Sequence, residues 1–343
     1  MNQKKPVIMM CAGGTGGHIF PALAIAKKLE KNYTIIWLGS EKGMEHSLVK
    51  NYPIFSVKAV GLRGKSIKQL VTAPFKILSA IFQTARIIKK NKVKLSITMG
   101  GFVGGIGGIG SILTKTKFII HEQNSIAGTS NKWLNKWSSK SFQAFDGALE
   151  YAQTCGNPIN FSLKNKLAKT DTNLNILILG GSLGAKALNN IAPQITRNFN
   201  IWHQTGKGNS AKIITKYKQV NDNLKVEDFI NNMEYAYSWA DIVIARSGAM
   251  TISELIYTKT PAILIPYPFA IDNHQLHNAE ILTKRGCGFL IPEKDLSVEK
   301  ITTILREITK SRLAEMCDNF NKFESLNPID EIKNHIDLLM NKT

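Results

Sequence analysis

The sequence predicts an α/β protein with two domains, each built on a parallel sheet that carries helices on both faces. Apolar runs of strand length alternate with helical patterns through the first half of the chain. A strand, a glycine-rich turn and a helix start occur in that order at Gly13 and again at Gly180. With 343 residues, the chain is long enough to bury two cores.

The first glycine-rich turn follows an apolar run at 7–11 and leads into a helical pattern at 19–29, with Pro21 in the first turn. Glycines let the backbone approach a ligand closely, and a helix N-terminus offers free N–H groups to a phosphate. The turn lacks the Lys-Ser/Thr pair of a nucleotide P-loop and the spacing of a dinucleotide fingerprint. His18 stands where the turn enters the helix, which predicts a group able to exchange protons near pH 7. A purely structural turn with a capping histidine is the alternative.

Polar residues follow one of the later strands of the first half. The apolar runs after the first predict strands at 33–38, 53–57, 95–98, 118–121 and 141–144. Because ligands bind beyond the carboxyl ends of parallel strands, we expect the side chains of His121–Asn124 to point into a cleft. Asn124 is the best partner for a sugar or a peptide. Hydrogen bonds that only fix the loop are the alternative.

Positive charge is concentrated in the first half of the chain. The net charge is +19, and residues 1–159 carry 22 basic against 6 acidic residues. No acidic residue lies between Glu45 and Glu122, where 13 Lys or Arg occur. We predict that this half faces a polyanionic surface, for which nucleic acid and anionic lipid both qualify.

The segment 62–94 is basic and amphipathic, and its pattern predicts a helix. The apolar residues at helical spacing are Ile67, Leu70, Val71, Pro74, Leu78, Ile81, Ala85 and Ile88. Four more widen the apolar arc beyond one core-facing stripe: Phe75, Ile77, Phe82 and Ile87. A wide apolar face flanked by cations favours a membrane interface, and a core helix with a solvated basic side is the alternative. The charge distribution favours the membrane.

Positions 95–114 carry no charge, but seven of these residues are glycines. Each glycine costs a helix about 1 kcal/mol relative to alanine. We therefore predict a strand at 95–99, a second glycine loop over 100–110 and then the start of a buried helix. On this interpretation the protein is peripheral to a membrane and does not span it.

The second half repeats the opening pattern. A strand at 175–179 leads into a glycine turn at 180–185, which predicts two Rossmann-like domains facing a central cleft. The turn chemistry at 155–158 marks a hinge. We predict a first domain at 1–159, completed by a C-terminal helix at 328–343 that crosses back to it, and a second domain at 160–327. Asn327 caps that helix and Pro328 begins it.

A second candidate phosphate site lies late in the chain. A strand ends at Ala245, and Ser247–Thr251 then opens a helix. Glu254 follows one to two turns in, where its carboxylate could accept both hydroxyls of a ribose. A capping role for these residues is the alternative.

The four cysteines lie far apart and form no CxxC motif, which argues against a disulfide framework or a zinc site and favours a reducing cytoplasm. We expect no signal peptide before the first strand. His274 and His277 lack a third ligand nearby, so no metal site is predicted.

Taken together, the motifs resemble those of the MurG family, the peptidoglycan N-acetylglucosaminyltransferases of GT-B fold. The resemblance covers nearly the whole chain, and the motifs fall in the family's order. They are Gly13–His18, His121–Asn124, Gly156-Asn157-Pro158, Gly180–Ala185, His203–Lys207, Arg246–Glu254 and Gln275–Ala279.

The resemblance implies an inverting transfer of N-acetylglucosamine from UDP-N-acetylglucosamine to lipid I, undecaprenyl-diphospho-N-acetylmuramoyl-pentapeptide, which forms lipid II. It implies a peripheral enzyme at the anionic cytoplasmic face of the inner membrane, with no cofactor and no nucleic acid partner. No Asp-x-Asp motif occurs, in keeping with a metal-free mechanism. His18 would be the catalytic base, Glu254 would bind the ribose and Ile230 the uracil. The implied donor-binding residues are Thr15, Gly16, Gly17, Asn124, Ser182, Ile230, Ala249, Met250, Thr251, Ile252, Ser253, Glu254 and Gln275.

The chain departs from the family pattern at three places. Asn160 stands where the family usually has an arginine of the donor site, so either another cation substitutes or donor binding is weaker. Gly104-Gly105-Ile106 replaces a Ser-Gly-Pro continuation, and Asn273-His274 replaces a charged or amide pair beside Gln275.

Three other functions stay open on the sequence. One is another UDP-sugar enzyme of the same fold, either a glycolipid synthase or a non-hydrolysing UDP-N-acetylglucosamine epimerase. A basic nucleic-acid-binding protein is a second, although only 7 of the 44 basic residues are arginine. A dinucleotide oxidoreductase is a weaker third.

Overall fold

The computed structural model describes residues 5–58, 67–162, 173–181, 183–195, 199–217 and 224–341. The chain divides into two compact units, one of Met1–Asn160 with Leu326–Thr343 and one of Phe161–Ser325. The boundaries expected from the sequence, after 159 and before 328, lie one and two residues from these.

Seven parallel strands form the sheet of the first unit, in the order β3-β2-β1-β4-β5-β6-β7. The strands are β1 Val7–Cys11, β2 Thr34–Ser40, β3 Ile54–Val57, β4 Val93–Thr98, β5 Lys117–Glu122, β6 Lys140–Gln143 and β7 Gln153–Thr154. The helices are α1 Gly16–Leu29, α2 Glu45–Leu48, α3 Ile67–Lys90, α4 Gly101–Leu113, α5 Thr129–Asn135 and, from the end of the chain, α13 Pro328–Asn341. Every strand predicted from the sequence in this half is confirmed.

The sheet of the first unit is covered on both faces, because alternate residues of its central strand enter two different cores. Ile8 and Met10 of β1 pack in one core with α1 and α13. Met9 and Cys11 pack in the other core with α3 and α4. This two-sided burial explains why β1 is a continuous apolar run rather than an alternating one.

Six parallel strands form the sheet of the second unit, in the order β10-β9-β8-β11-β12-β13. The strands are β8 Leu174–Leu179, β9 Phe199–Gln204, β10 Leu224–Glu227, β11 Ile242–Ala245, β12 Ala262–Leu264 and β13 Gly288–Leu290. The helices are α6 Lys186–Ile191, α7 Ser210–Ile214, α8 Met233–Trp239, α9 Ala249–Thr258, α10 His274–Thr283, α11 Val298–Glu307 and α12 Lys310–Asp318. Short 3-10 turns lie at Ala192–Gln194, Ile271–Asn273, Glu293–Asp295 and Asn319–Lys322.

The first helix begins earlier than predicted. It starts at Gly16 rather than Ile19, with Thr15 as the N-cap, so Pro21 is its sixth residue and not part of its first turn. The glycine pair thus belongs to the helix. Proline has no N–H to donate, so its place in the second turn costs the helix one backbone hydrogen bond.

The predicted glycine loop over 100–110 is wrong. Those residues form helix α4, which starts at Gly101 directly after β4. Its glycines let neighbours approach the backbone. A Cβ at Gly107 would overlap Cys11, one at Gly108 would lie 2.5 Å from Leu134, and one at Gly110 would lie 2.7 Å from Thr84. Close packing between helix and sheet therefore outweighs the low helix propensity of glycine.

Helix α3 is confirmed, but its faces differ from the prediction. Its side chains are described from Thr72 onward, and Lys65, Ile67, Lys68, Leu70 and Val71 fall outside that description. Ile77 and Ile87, expected on the wider arc, pack against the core, whereas Leu78, expected in the core, is exposed. The buried stripe follows 73, 77, 80, 81, 84 and 88, so its phase is shifted from the predicted one.

The C-terminal helix packs on the first unit, as predicted. Asn327 accepts the Asp330 N–H at 3.4 Å, and Pro328 opens α13. Ile332 and Ile336 are fully buried in the core that contains β1 and α1. Tyr33 donates to Asp337 at 2.7 Å, and Lys28 pairs with Asp330 at 2.6 Å. This helix is therefore an integral part of the first core.

Candidate active site

In the first unit the strand order reverses between β1 and β4, the place where parallel sheets bind ligands. Cys11 and Thr98 are paired at the ends of these strands, and the chain turns from each into a helix. The N-termini of α1 and α4 therefore lie at one sheet edge. His18 is the third residue of α1, and a Cβ at Gly101 would lie 3.0 Å from its Cε1. The imidazole thus lies against the first residue of α4.

A buried carboxylate that sequence reasoning missed holds the first glycine turn. Glu45 is fully buried and accepts the Gly14 N–H at 3.1 Å. It also accepts the N–H and, at 2.7 Å, the hydroxyl of Ser40. Only a glycine at position 13 leaves room for this carboxylate, because a Cβ there would lie 2.8 Å from a Glu45 oxygen. Nothing local in the sequence signals the contact, since 31 residues separate Gly14 from Glu45.

The polar cluster at the end of β5 turns inward, contrary to the prediction. His121, Glu122 and Gln123 are all buried, and only Asn124 is partly exposed. Glu122 accepts hydrogen bonds from the backbone and side chain of Asn124, at 2.9 and 3.2 Å. It also accepts from Asn131 at 2.8 Å. Three of the four predicted residues therefore fix the loop and present Asn124.

His121 is a neutral, structural histidine. Its Nε2 lies 2.9 Å from the Gly156 carbonyl, and its Nδ1 lies 3.0 Å from the side-chain nitrogen of Gln123. These partners require a proton on Nε2 and none on Nδ1. Burial lowers the pKa of His121 to about 4. The side chain therefore holds the turn at Gly156 and carries no charge near neutral pH.

The second unit has its own switch point between β8 and β11, whose ends pair Leu179 with Ala245. The glycine turn at 180–184 follows β8, and helix α9 follows β11. Ser182, predicted to bind the donor diphosphate, lies outside the described residues. The amides of Ala249, Met250 and Thr251 are the first of α9, and such amides have no partner within the helix. This terminus is suited to an anion.

Glu254 lies in the second turn of α9 and is partly buried. Burial raises its pKa to about 7, opposed by a hydrogen bond from Tyr237. The Tyr237 hydroxyl donates to Oε2 at 2.7 Å. Among the described residues Oε1 has no hydrogen-bond partner. A ribose hydroxyl is the kind of donor that this oxygen would take.

Other predicted residues of the second unit can offer only their backbone. The side chains of Ala249, Ile252 and Ser253 are buried, and the Ile252 N–H bonds to Gly248 at 3.0 Å. Ile230, predicted to contact the uracil, is 2% exposed, so a base would meet its main chain.

The loop before α10 is fixed by three polar side chains. Arg246 donates to the carbonyls of Ile265 and Pro266 at 3.1 and 3.2 Å and pairs with Glu293. Ser247 donates to the Gln275 carbonyl at 2.6 Å. The side-chain oxygen of Gln275 accepts the Tyr267 N–H at 2.9 Å, and this contact fixes the orientation of the Gln275 amide.

Within the described ranges, no group of three or more His, Cys, Asp or Glu side chains could hold a metal ion. None of the helices in those ranges combines the length and apolar character needed to cross a bilayer.

The family models that match the chain cover both units. The glycosyltransferase family 28 N-terminal domain matches residues 8–143, and the C-terminal domain of the same family matches residues 175–332.

Two relatives align over nearly their whole lengths. A protein of Vesicomyosocius okutanii subsp. Calyptogena okutanii is 47% identical over 340 residues, 98% of both chains. One of Shewanella violacea is 40% identical over 328 residues, 90% of both. Both are named UDP-N-acetylglucosamine--N-acetylmuramyl-(pentapeptide) pyrophosphoryl-undecaprenol N-acetylglucosamine transferase.

Among solved structures, MurG of Acinetobacter baumannii superposes with a TM-score of 0.82 at 33% identity, covering 98% of this chain and 99% of its own. The glycosyltransferase of kitacinnamycin, at 10% identity and a TM-score of 0.74 over 98% and 99%, shares the fold alone. The fold is therefore GT-B, as the sequence predicted. The chain belongs to glycosyltransferase family 28 and, within it, to the MurG family.

Proposed function

We propose that this protein transfers N-acetylglucosamine from UDP-N-acetylglucosamine to the muramoyl 4-hydroxyl of lipid I, forming lipid II with inversion at the sugar. One observation carries the proposal. A chain aligned over 98% of its length with a relative named for this transfer has His18 in the first turn of the helix at one sheet's switch point and Glu254 in the second turn of the helix at the other's.

The proposed chemistry assigns His18 as the general base. Its imidazole takes the proton of the acceptor hydroxyl while that oxygen attacks the anomeric carbon from the face opposite UDP. The bond from the anomeric carbon to the UDP oxygen breaks, and negative charge develops on the diphosphate. The amides of Ala249, Met250 and Thr251 and the dipole of α9 stabilise that charge.

The donor is held by the second unit in this proposal. Glu254 accepts the ribose hydroxyls, the Ile230 main chain meets the uracil and Gln275 offers its NH₂ group to the sugar or diphosphate. The remaining donor contacts are assigned to Thr15, Gly16, Gly17, Asn124, Ser182, Ile252 and Ser253. Asn160, where the family usually has an arginine, offers no charge to the donor.

The test is transfer of radiolabelled N-acetylglucosamine to a short-chain lipid I analogue. His18→Ala is expected to lower kcat by about 10²- to 10⁴-fold, the usual contribution of a general base, with little change in the KM for the donor. His46→Gln, which changes an exposed histidine of the same unit, is the matched control. An unchanged rate in His18→Ala would remove this residue as the base.

Incubation with UDP-N-acetylglucosamine alone separates the transferase from an epimerase. The transferase leaves the sugar unconverted when no acceptor is present. Conversion without acceptor would instead favour the epimerase, which the full-length identity to named transferases already disfavours.

We further propose that helix α3 binds the anionic cytoplasmic leaflet, where a lipid acceptor would be met. Phe75, Leu78 and Phe82 project from one face and are 74%, 51% and 65% exposed. We call them the α3 ridge. The exposed cations beside the ridge are Lys76, Arg86, Lys89 and Lys90, and α3 contains no acidic residue. Apolar side chains that enter the interface and cations that meet anionic headgroups form a peripheral anchor.

Vesicle sedimentation tests the anchor. The triple change of the α3 ridge to serine is expected to abolish pelleting with phosphatidylglycerol vesicles and to leave transfer to a soluble acceptor analogue intact. Leu338→Ser, which removes an exposed apolar residue of α13, is the control. A DNA mobility shift at matched salt tests the nucleic-acid alternative, and binding of DNA but not vesicles would contradict the anchor.

A further inference from the structure

We propose that Tyr237 is a positioning residue for the donor, acting through Glu254: it occupies one carboxylate oxygen so that the other is presented to the ribose. The inference rests on the proposed role of Glu254 and adds a residue that no sequence motif pointed to.

The contact is specific in its atoms. The Tyr237 hydroxyl donates to Oε2 of Glu254 at 2.7 Å, and Oε1 has no partner among the described residues. A carboxylate pinned through one oxygen has lost its freedom to rotate. Its second oxygen then has a fixed direction, which is what two neighbouring ribose hydroxyls require.

The phenol is itself held in place. Tyr237 is fully buried on α8. Its ring lies 6.1 Å from that of Phe161. Burial and this ring contact hold the phenol in position against Glu254.

The same bond favours the charged form of the carboxylate. Burial raises the pKa of Glu254, and the hydrogen bond from Tyr237 lowers it. A protonated carboxyl would be a poorer acceptor for ribose. Removing the phenol oxygen therefore disturbs both the direction and the charge of Glu254.

Tyr257 offers a matched control in the same cluster. Its ring lies 5.9 Å from the ring of Phe161, and its hydroxyl donates to the Phe161 carbonyl at 3.0 Å. Tyr257→Phe removes one phenol oxygen, as Tyr237→Phe does, but from a hydroxyl that does not bond to Glu254.

The experiment measures, by calorimetry, the affinity for UDP and for 2′,3′-dideoxyuridine 5′-diphosphate. Tyr237→Phe is expected to weaken UDP binding about tenfold at pH 7, the loss typical of one hydrogen bond to a charged group, and to leave the dideoxy compound unaffected. Tyr257→Phe is expected to bind both like the wild type. In transfer assays, the KM for the donor should rise while kcat stays within about twofold.

The pH dependence supplies a readout that a merely structural role would not move. Wild-type affinity for UDP-N-acetylglucosamine, whose diphosphate, unlike that of UDP, has no ionisation near neutral pH, is expected to fall as the pH drops through about 7, where Glu254 takes up a proton. Tyr237→Phe should move that midpoint upward, and Glu254→Gln should abolish it. Incorporation of 3-fluorotyrosine at position 237, a stronger donor of nearly the same shape, should move the midpoint downward even if Tyr237→Phe does not fold.

The outcomes separate two failures. Equal weakening of UDP and the dideoxy compound in Tyr237→Phe, or no weakening of either, would overturn the positioning role alone. Equal affinity of the wild type for the two compounds would overturn the ribose assignment of Glu254, and the present inference with it.

Discussion

The two glycine turns share a strand-turn-helix frame, but they are held by different physics. In the first unit, a side chain holds the turn, because Glu45 accepts the Gly14 amide at 3.1 Å. In the second unit, main-chain atoms hold the turn. The Gly184 N–H bonds to the Gly181 carbonyl at 3.0 Å, and a Cβ at Gly184 or Gly206 would overlap the opposite main chain.

The difference teaches which changes each turn can survive. The strength of a hydrogen bond to a carboxylate can be varied, because a substitution can weaken the acceptor without moving the backbone. Main chain packed directly on main chain has no flexible partner that could give way. We therefore expect the second turn to fail on a carbon added at Gly184, or at Gly206 that packs against it, and the first turn to respond to charge.

The largest effect is expected for Gly206→Ala. Gly206 has a φ of +86°, and its new methyl group would overlap Gly184. Backbone strain and overpacking together should lower the free energy of unfolding by about 4 kcal/mol. Denaturant unfolding monitored by tryptophan fluorescence measures the change.

Gly208→Ala sharpens this comparison. Gly208 has a φ of +77° but nothing within 4 Å of the added carbon, so only the conformational cost of about 1 kcal/mol is expected. Equal losses in the two variants would show that close packing at Gly206 contributes nothing.

Each unit contains a buried, uncharged histidine. His203 of β9 lies 2.9 Å from the Tyr217 hydroxyl and 3.1 Å from the side-chain oxygen of Asn189, and burial lowers its pKa to about 4, as it does for His121. In the unfolded chain a histidine has a pKa near 6.5, whereas in the folded chain each of these two has a pKa of about 4 and stays neutral above that pH. Stability is therefore complete above pH 6.5 and falls as the pH drops, by about 3 kcal/mol per histidine at pH 4.

Unfolding free energies measured between pH 7 and pH 4.5 test this. His121→Gln and His203→Gln should each reduce the loss of stability between these pH values by about 2 to 3 kcal/mol. A slope unaffected by either change would assign the loss to carboxylates instead.

A smaller loss, about 2 kcal/mol, is expected for Glu45→Gln, since a neutral amide accepts more weakly and turns one NH₂ group toward a donor. The turn should loosen around Thr15, and kcat should fall more than the KM for the donor rises. Ser40→Ala removes only one of the three hydrogen bonds to Glu45 and should cost about 1 kcal/mol. A larger loss in Ser40→Ala than in Glu45→Gln would contradict the clamp.

The sequence was sufficient for the six strands predicted in the first half, because burial on both faces leaves continuous apolar runs such as that at 7–11. It failed over 100–110, where helix propensity predicts a loop. What decides there is the fit of glycine against Cys11, Leu134 and Thr84, and these residues are distant in the chain. Propensity is a local quantity, and this packing is not.

The candidate site divides in the same way. His18 and Glu254 were proposed as site residues because their turns carry local signals. Their supports were not, because Glu45 and Tyr237 act over 31 and 17 residues and nothing nearby marks them. His121, Glu122 and Gln123 were predicted to face a ligand, but their side chains bond to neighbouring residues. The sequence of a polar run is the same whether its side chains face a ligand or the protein interior.

The placement of α13 has a consequence for synthesis on the ribosome. Ile332 and Ile336 fill the core of the first unit, yet the 165 residues from Phe161 to Ser325 must be translated before them. At about 5–20 residues per second, the nascent first unit waits roughly 10 to 30 seconds with an apolar groove beside α1 uncovered. The unit made first is thus the last to be finished, and during that interval it presents a surface on which chaperones could act.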